Sequence, residues 1–288
     1  MSFTIQYMND ILSLMYEHFF GLKERPFNVT SDPAFLFFSR RHKEALAHLI
    51  YGINERKGFL EITGEIGTGK TTLCKALLNS LNNETKTTLI LNPDLSKIQL
   101  LKAILQDLGI NSEKNTTIEL TNQLNDFLIR QLYIGNNVVL IIDEAQNLKP
   151  AMLEQVRLLS NLETTKEKLL QIVLVGQPEL RDKLQSPRLR QLRQRISVRY
   201  HILPLEQNEI GTYINHRLCI AGGNDGAISF AEDAIREIFN YSSGIPRVIN
   251  IVCDKTLLAA FVQESRTITK SLVTKCIREL EGNDGGSL

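Results

Sequence analysis

Apolar runs and stretches of helical spacing alternate along the first two thirds of this 288-residue chain. Apolar residues recur at i, i+3 and i+4 in five stretches, which predicts helices at 41–57, 71–81, 98–109, 120–133 and 150–162. Short apolar runs between them predict strands at 58–63, 87–91, 137–144 and 169–176. These runs are apolar along their length, not at alternate positions, which is typical of a parallel sheet covered by helices on both faces. The sequence therefore predicts an α/β domain.

The pattern changes after residue 204. From there to about residue 282 every long stretch has helical spacing, and no strong strand is predicted. A small all-helical domain is therefore expected behind the α/β domain. The final residues, 283–288, are mostly small and polar, which is typical of a flexible tail.

Composition narrows the function only slightly. There are 33 Lys and Arg against 32 Asp and Glu, so the formal net charge of +1 gives no general reason to expect nucleic acid or a membrane as partner. No apolar run approaches the ~18 residues of a membrane span, and the first residues make a poor signal peptide. The four cysteines form no CxxC pair, so reduced, mostly buried thiols and a cytoplasmic location are expected.

A glycine-rich stretch, GEIGTGKT at 64–71, matches GxxxxGK[ST] between a predicted strand and a predicted helix, which is the context that a P-loop requires. Glycines let successive backbone N–H groups point at phosphate oxygens, and the following helix presents its positive end to the same anion. Lys70 can reach the β- and γ-phosphates, and the Thr71 hydroxyl can bind Mg²⁺. The residues expected to bind nucleotide are Gly64, Glu65, Ile66, Gly67, Thr68, Gly69, Lys70, Thr71 and Thr72.

A second stretch, VVLIIDE at 138–144, is an apolar strand that ends in two acids. Carboxylates that follow a buried run are costly unless they hold a metal or take part in chemistry. Asp143 fits the acid of a Walker B strand, which organises Mg²⁺ together with Thr71, and Glu144 fits the base that activates a water on the γ-phosphate. The two stretches together predict hydrolysis of ATP with Mg²⁺.

The P-loop, the strand ending in Asp143 and Glu144, and the trailing helical part together resemble an AAA+ ATPase. The resemblance implies a P-loop NTPase sheet flanked by helices, followed by a helical lid. It implies a polar sensor at Gln177, although Asn or Thr is more usual there, and a lid arginine at Arg247 in the stretch SGIPR. It also implies that Asn92, at the end of the second strand, holds the catalytic glutamate inactive until a partner binds.

A narrower resemblance, to the ExeA/GspA family (general secretion pathway protein A), covers roughly residues 15 to 280. It rests on YEHFFGLKERPFNVTSDPAFLFFSRRHKEALAHLIYGI at 16–53, followed in order by ITGEIGTGKTT, LIIDEAQNL, GQPELRDKL, LRQRISVRYHILPL and SGIPRVIN. It implies an adenine site near Pro26 and Phe27. It also implies an N-terminal extension at 1–15, an ATP-binding domain at 16–204 and a lid at 205–282.

Arginines are concentrated at 188–200, in RLRQLRQRISVRY. Ser186 and Pro187 read as the N-cap and first turn of a helix, in which Leu189, Leu192 and Ile196 form the buried stripe. The arginines are scattered around this helix, whereas a DNA-binding stripe would favour one aligned face.

The AAA+ resemblance places the helix-to-strand junction of this stretch against a neighbouring subunit. It implies that Arg195 is an arginine finger that acts in trans, with Arg193 and Arg190 as the alternatives. A homo-oligomer with nucleotide at its subunit interface is therefore expected.

The expected function is that of an oligomeric ATPase that assists assembly of a secretion or type IV-like pilus system through a protein partner. One alternative is a DNA-binding AAA+ transposition regulator of the TnsC or MuB kind, with duplex DNA as partner. Another is a nucleotide switch in which hydrolysis only resets the signal. Because the chain ends at Leu288, a short stand-alone form is expected, as in MSHA-type pilus loci. It would lack the membrane span and peptidoglycan-binding region of longer members and reach the inner membrane only through a partner.

Overall fold

The chain divides into two compact units. The computed structural model describes residues 16–30, 32–91, 93–165, 167–223, 226 and 228–282. The sheet unit comprises residues 40–66 and 70–203. The helical unit comprises the described residues of 1–39, residues 67–69 and the described residues from 204 onwards.

A five-stranded parallel sheet forms the centre of the sheet unit. Its strands are β1 (Phe59–Gly64), β2 (Thr85–Ile90), β3 (Asn137–Ile142), β4 (Gln171–Gly176) and β5 (Ile196–Ile202). They are arranged in the order β2-β3-β4-β1-β5. The predicted architecture, a parallel sheet flanked by helices, is confirmed.

The central strands are mostly apolar because the sheet is covered on both faces, and the polar residues that they do contain, such as Glu61 and Thr63 of β1, are buried as well. Every residue of β1 and β4 is buried, as is all of β3 except its first residue. Alternate residues enter two separate cores, so that Leu140 packs in one cluster and its neighbour Ile141 in the other. The edge strands β2 and β5 are partly exposed, which agrees with their more polar sequences.

One helix of the sheet unit precedes β1, and the others lie between successive strands. These helices are Arg40–Asn54, Lys70–Ser80, Lys97–Asp107, Thr117–Tyr133, Pro150–Leu159, Pro178–Gln185 and Arg190–Arg195. Short 3₁₀ turns occur at Ala145–Asn147 and Pro187–Leu189. Local signals define several starts: Ser96 and Gln99, for example, form a reciprocal capping box at the head of the 97–107 helix.

The arginine-rich segment begins differently from the sequence prediction. Ser186 makes no side-chain capping bond, and a 3₁₀ turn at Pro187–Leu189 precedes the helix at Arg190–Arg195. The reason is that Ser186 also closes the preceding helix, where its backbone N–H donates to the Lys183 carbonyl at 3.1 Å. The predicted apolar stripe is buried, with Leu189, Leu192 and Ile196 between 0% and 6% exposed.

The helical unit contains four long helices: Gln207–Ile220, Glu232–Ser242, Pro246–Val262 and Lys270–Leu280. The unit also contains two short strands that the sequence does not predict, β6 (Ser229–Phe230) and β7 (Thr267–Ile268). These two strands pair with each other in parallel. Throughout the described ranges of both units, no helix is long and apolar enough to cross a lipid bilayer.

Residues 16–39 pack with the helical unit, whereas the sequence resemblance assigns them to the ATP-binding domain. Phe20, Phe27 and Phe35 are buried in the same core as the helices that follow residue 204. The backbone N–H of Lys23 donates to the Ala221 carbonyl at 2.7 Å. These aromatic rings bury a large apolar area, and the helical unit supplies the complementary surface. The expected extension at 1–15 and the tail at 283–288 lie outside the described residues.

The four cysteines are free thiols. Cys74, Cys253 and Cys276 are buried, as the sequence predicts, and Cys219 is exposed. Burial raises the pKa of each of the three buried thiols. They are therefore protonated and unreactive at neutral pH, as is typical of structural cysteines.

Candidate functional site

The glycine-rich loop follows β1 and leads into the helix that begins at Lys70. Gly67 and Gly69 have φ angles of +83° and +91°, in the left-handed region that favours glycine. A Cβ atom added at Gly67 would lie 2.6 Å from Cβ of Arg247, which belongs to the helical unit together with Gly67. The loop thus requires glycine for its backbone conformation and, at Gly67, also for space.

Lys70 is held by the loop itself. Its ammonium group donates to the carbonyl oxygens of Gly64 and Glu65, each at 2.8 Å, and the residue is buried. Burial lowers the pKa of Lys70, and the nearby carboxylates of Glu144 and Asp143 oppose that shift. An ammonium has three N–H donors, so these two bonds leave one for an anion.

Thr71 and Asp143 bring the two predicted motifs together. The Thr71 hydroxyl donates to Oδ2 of Asp143 at 2.6 Å, and the backbone N–H of Glu144 donates to the other carboxylate oxygen at 2.9 Å. Asp143 is 1% exposed. Burial raises its pKa, while the bonds from Thr71 and Glu144 oppose that shift.

These donors suit Mg²⁺ by their chemistry. A hydroxyl and a carboxylate are hard oxygen ligands, and Mg²⁺ in phosphate sites takes one or two carboxylates with substrate and water as its other ligands. No cluster of three or more His, Cys, Asp or Glu side chains suited to a metal ion occurs in the part of the chain that the structure describes. The Thr71 hydroxyl and the Asp143 carboxylate would fit a Mg²⁺ ion whose remaining ligands come from phosphate and water.

Glu144 lies just beyond the end of β3 in an unusual backbone conformation. Its φ and ψ are 52° and 34°, the left-handed region, which a non-glycine residue adopts at a cost. Its Oε2 accepts hydrogen bonds from the side-chain amides of Gln146 and Gln177, the latter at 3.2 Å. The structure thus brings the predicted base and the predicted sensor into direct contact.

Sequence reasoning missed Gln146. Its Oε1 accepts from the backbone N–H of Gln177 at 3.1 Å, so its side chain bridges Glu144 and Gln177. Its only signal in the sequence is position, two residues after the paired acids in a turn behind a buried strand.

Arg195 makes its hydrogen bonds outside this cluster. Its Nη1 donates to Oγ of Ser160 at 2.6 Å and to Oδ1 of Asn161 at 2.7 Å, just beyond the 150–159 helix. Arg193 donates to Oε1 of Gln185 at 2.7 Å, and Arg190 is exposed. Among the described residues, these arginines make no hydrogen bond to Lys70, Asp143 or Glu144 of the same chain.

Arg247 belongs to the helical unit, in the first turn of the helix at Pro246–Val262. Its backbone N–H donates to the carbonyl of Gly67 at 3.2 Å. The turn before it depends on Gly244, where φ is +76° and an added Cβ would lie 2.1 Å from the Leu205 carbonyl oxygen. Asn92 lies outside the described residues.

Pro26 and Phe27 are both buried in the helical unit, and the Phe27 side chain, at 1% exposed, packs in its core. The buried Arg217 donates to the carbonyls of Pro26 and Asn28, the latter at 3.0 Å. Its guanidinium stacks 4.8 Å from the ring centroid of Phe35. The expected adenine contact of Pro26 and Phe27 stays a prediction, and Arg217 is a structural anchor that the sequence did not indicate.

Comparisons with known proteins support the resemblance drawn from the motifs. A family model described as an AAA domain matches residues 53–184. General secretion pathway protein A of Aeromonas hydrophila is 45% identical over 269 residues, which cover 93% of this chain and 49% of that protein. The chain thus spans about half the length of this curated relative. The predicted resemblance to the AAA ATPases and to this secretion protein is confirmed.

Solved structures show the same fold at low identity. The Aeropyrum pernix ORC2 protein, in ADPNP–ADP complexes, has a TM-score of 0.66 and 18% identity over 89% of this chain and 72% of that chain. Drosophila ORC bound to DNA has a TM-score of 0.62 and 19% identity over 84% of this chain and 60% of that chain. Identities this low carry the fold, not the substrate.

Proposed function

From the premise that this chain has the AAA P-loop NTPase fold and is a relative of general secretion pathway protein A, we propose that it is an ATPase that assists assembly of a secretion system or type IV-like pilus. The observation that carries the enzymatic part is the 2.6 Å bond between Thr71 and Asp143, 72 positions apart. It joins the glycine loop to the acidic end of β3, as nucleotide hydrolysis requires.

The loop residues would bind the triphosphate of ATP. The backbone N–H groups of the glycine-rich loop and the remaining N–H donor of Lys70 are the groups suited to phosphate oxygens. Thr71 and Asp143 would hold Mg²⁺, which when bound would neutralise part of the phosphate charge. Thr72 extends the nucleotide contacts into the first turn of the following helix.

Glu144 would orient and activate the attacking water. The left-handed backbone and the two amide donors hold its carboxylate in one orientation, and positioning of this kind is the main contribution that a protein makes to phosphoryl transfer. Gln177 would act as the sensor that reports the state of the γ-phosphate to the helix that follows it.

The remaining roles come from the AAA+ resemblance. Arg195 would stabilise the transition state in a neighbouring copy, which makes a homo-oligomer the active form. Arg247 would couple hydrolysis to movement of the lid. Asn92 would restrain the catalytic glutamate, and Pro26 and Phe27 would line the adenine site.

The partner is proposed to be a protein of the secretion or pilus apparatus, reached from the cytoplasm at the inner membrane. This rests on the similarity to general secretion pathway protein A and on the near-neutral charge, which offers little to a DNA backbone. The structural likeness to DNA-bound ORC stands at 19% identity and supports only the fold.

Mg²⁺-dependent release of phosphate from ATP tests the enzymatic part, with the Lys70→Ala and Glu144→Gln variants beside wild type. We expect Lys70→Ala to lose nucleotide binding, and Glu144→Gln to keep it but lose turnover by about 100-fold or more. Lys86→Ala and Glu113→Gln, at exposed positions, are the matched controls. Equal turnover in wild type and Lys70→Ala would refute the proposal.

A second experiment tests the partner class. Duplex DNA is titrated with the protein and ATP at several salt concentrations, and secretion or pilus assembly is scored in cells that carry Glu144→Gln. Tight, ATP-dependent duplex binding would replace the secretion proposal with a transposition regulator. Intact assembly with Glu144→Gln would make the protein a switch whose output does not need hydrolysis.

A further inference from the structure

Gln146 lies between the proposed base and the proposed sensor. Its Nε2 donates to Oε2 of Glu144, and its Oε1 accepts from the backbone N–H of Gln177 at 3.1 Å. The side chain therefore joins the end of β3 to the end of β4, two strands that neighbour each other in the sheet.

The orientation of this amide follows from chemistry. The backbone N–H of Gln177 can only donate, so the oxygen of the Gln146 amide must face it and the NH₂ group must face Glu144. The side-chain amide of Gln177 donates to the same carboxylate oxygen at 3.2 Å. Two neutral donors thus converge on Oε2 of Glu144, and the second oxygen takes no part in these bonds.

Gln146 is itself held firmly by its surroundings. Lys183 donates from the 178–185 helix to the carbonyl of Gln146 and, at 2.9 Å, to that of Leu148. Gly176 leaves space for the amide, since a Cβ added there would lie 2.8 Å from Oε1 of Gln146. The 3₁₀ turn at Ala145–Asn147 fixes the short connection to Glu144.

We propose that Gln146 is a positioning residue for ATP hydrolysis: it turns the Glu144 carboxylate so that the oxygen outside the amide clamp faces the attacking water. Lys183 and the backbone of Gln177 hold Gln146 in register for this. The inference rests on the proposed ATPase function and adds to it a residue that acts through Glu144.

Gln146→Glu separates positioning from simple packing. The substitution preserves size and the acceptor for Gln177, but it replaces the donor to Glu144 with a second carboxylate. Two adjacent carboxylates share one proton, with one pKa strongly raised, so a lower pH restores a donor between them. The other charged groups facing the pair are Lys70 from the 70–80 helix, Asp143 at the end of β3 and Lys183 from the 178–185 helix.

The test measures kcat and KM for ATP from pH 5.5 to 8, together with the melting temperature of the nucleotide-free protein. Gln146→Ala should lower kcat by about 10- to 100-fold and leave nucleotide affinity within about twofold. In Gln146→Glu, kcat should fall by at least as much at pH 8. Relative to the kcat of wild type, it should recover about tenfold by pH 5.5. The melting-temperature deficit of this variant without nucleotide should shrink over the same range.

Gln106→Glu, at an exposed helical position, is the matched control. The ratio of its kcat to that of wild type should be the same at every pH. A kcat for Gln146→Ala within about twofold of wild type, or a pH-independent ratio for Gln146→Glu, would overturn the inference even if Glu144→Gln is inactive. If wild type itself releases no phosphate, the proposed function fails. The nucleotide-free melting series then still decides whether the carboxylate introduced by Gln146→Glu shares a proton with Glu144.

Discussion

Arg195 donates to the hydroxyl of Ser160 at 2.6 Å, so the residue implied as an arginine finger is tied within its own chain to the end of the 150–159 helix. The second bond, to Asn161, uses the same guanidinium nitrogen. In the proposed oligomer, a side chain held in this way would be oriented before a neighbouring copy arrives, which would lower the entropy that it loses on engaging a phosphate there.

Arg195→Ala should therefore keep nucleotide binding and lose turnover by about 100-fold or more, because the transition-state charge in the neighbouring site is no longer stabilised. Arg190→Ala, at an exposed position, should keep most activity. Mixing Arg195→Ala with Lys70→Ala subunits should restore part of the turnover, since each supplies what the other lacks. Unchanged turnover in Arg195→Ala alone would refute the assignment of Arg195 as the arginine finger. If turnover did not recover when the two variants are mixed, the proposed action on a neighbouring subunit would be refuted.

Asp143→Asn should raise the stability of the nucleotide-free protein at pH 8 while abolishing hydrolysis. Burial raises the pKa of Asp143, so the folded state binds this proton more tightly than the unfolded chain does. The ionised form consequently disfavours folding above the ordinary aspartate range, and the amide removes that charge. Its oxygen can still accept from the backbone N–H of Glu144, while its NH₂ group donates to the Thr71 hydroxyl, which can accept as well as donate.

The free energy of unfolding of Asp143→Asn is expected to exceed that of wild type by about 1 kcal/mol, which corresponds to about 2 to 4 °C in melting temperature. This gain should shrink as the pH falls through the raised pKa, since Asp143 of wild type is then protonated as well. Thermal melts from pH 4.5 to 8 measure it, and a gain that grows towards acid would contradict the assigned direction. Asp107→Asn, at an exposed carboxylate, serves as the control.

Gly244→Ala should disrupt the turn before Arg247. Besides the positive φ, the added methyl would lie 2.1 Å from the backbone oxygen of Leu205, which cannot move as a flexible side chain could. We expect a loss of about 3 to 5 kcal/mol in the free energy of unfolding. Gly21→Ala is the matched control, because its φ is +68° with no atom within 4 Å of the added Cβ, and about 1 to 2 kcal/mol is expected there. Equal losses in urea unfolding would show that the clash is relieved.

Arg217→Lys should loosen residues 16–39 from the helical unit. A lysine keeps the charge, but its single ammonium nitrogen lacks the two spaced donors, Nε and Nη2, that reach the carbonyls of Pro26 and Asn28, and it does not stack on Phe35 as a guanidinium does. The free energy of unfolding should fall by about 3 kcal/mol, and proteolytic cleavage within 16–39 should be faster. Arg236→Lys, in an exposed ion pair, should change neither measurement, and slow cleavage in Arg217→Lys would show that the aromatic residues suffice as an anchor.

The local sequence patterns were sufficient to predict the class of fold and the positions of the nucleotide-binding motifs. Strands with an unbroken or nearly unbroken apolar run, with no alternation of apolar and polar residues, are typical of burial on both faces, so β1, β3 and β4 were predictable as the interior of a parallel sheet. A GxxxxGK[ST] loop between a strand and a helix is the pattern of a phosphate-binding P-loop, and a following strand that ends in acids is expected beside it. Thr71 and Asp143 were accordingly expected together, and they lie together.

Tertiary structure alone decided the contacts that tune the site and the grouping of the N-terminal segment. Nothing in the spacing of Glu144, Gln146 and Gln177 tells which amide faces which oxygen, because that depends on two strands meeting side by side. Residues 16–39 precede the sheet in sequence, yet their aromatic rings are buried against helices that follow residue 204. Periodicity in the sequence indicates which side of a helix or strand is apolar, whereas the packing of the whole unit determines what that side contacts.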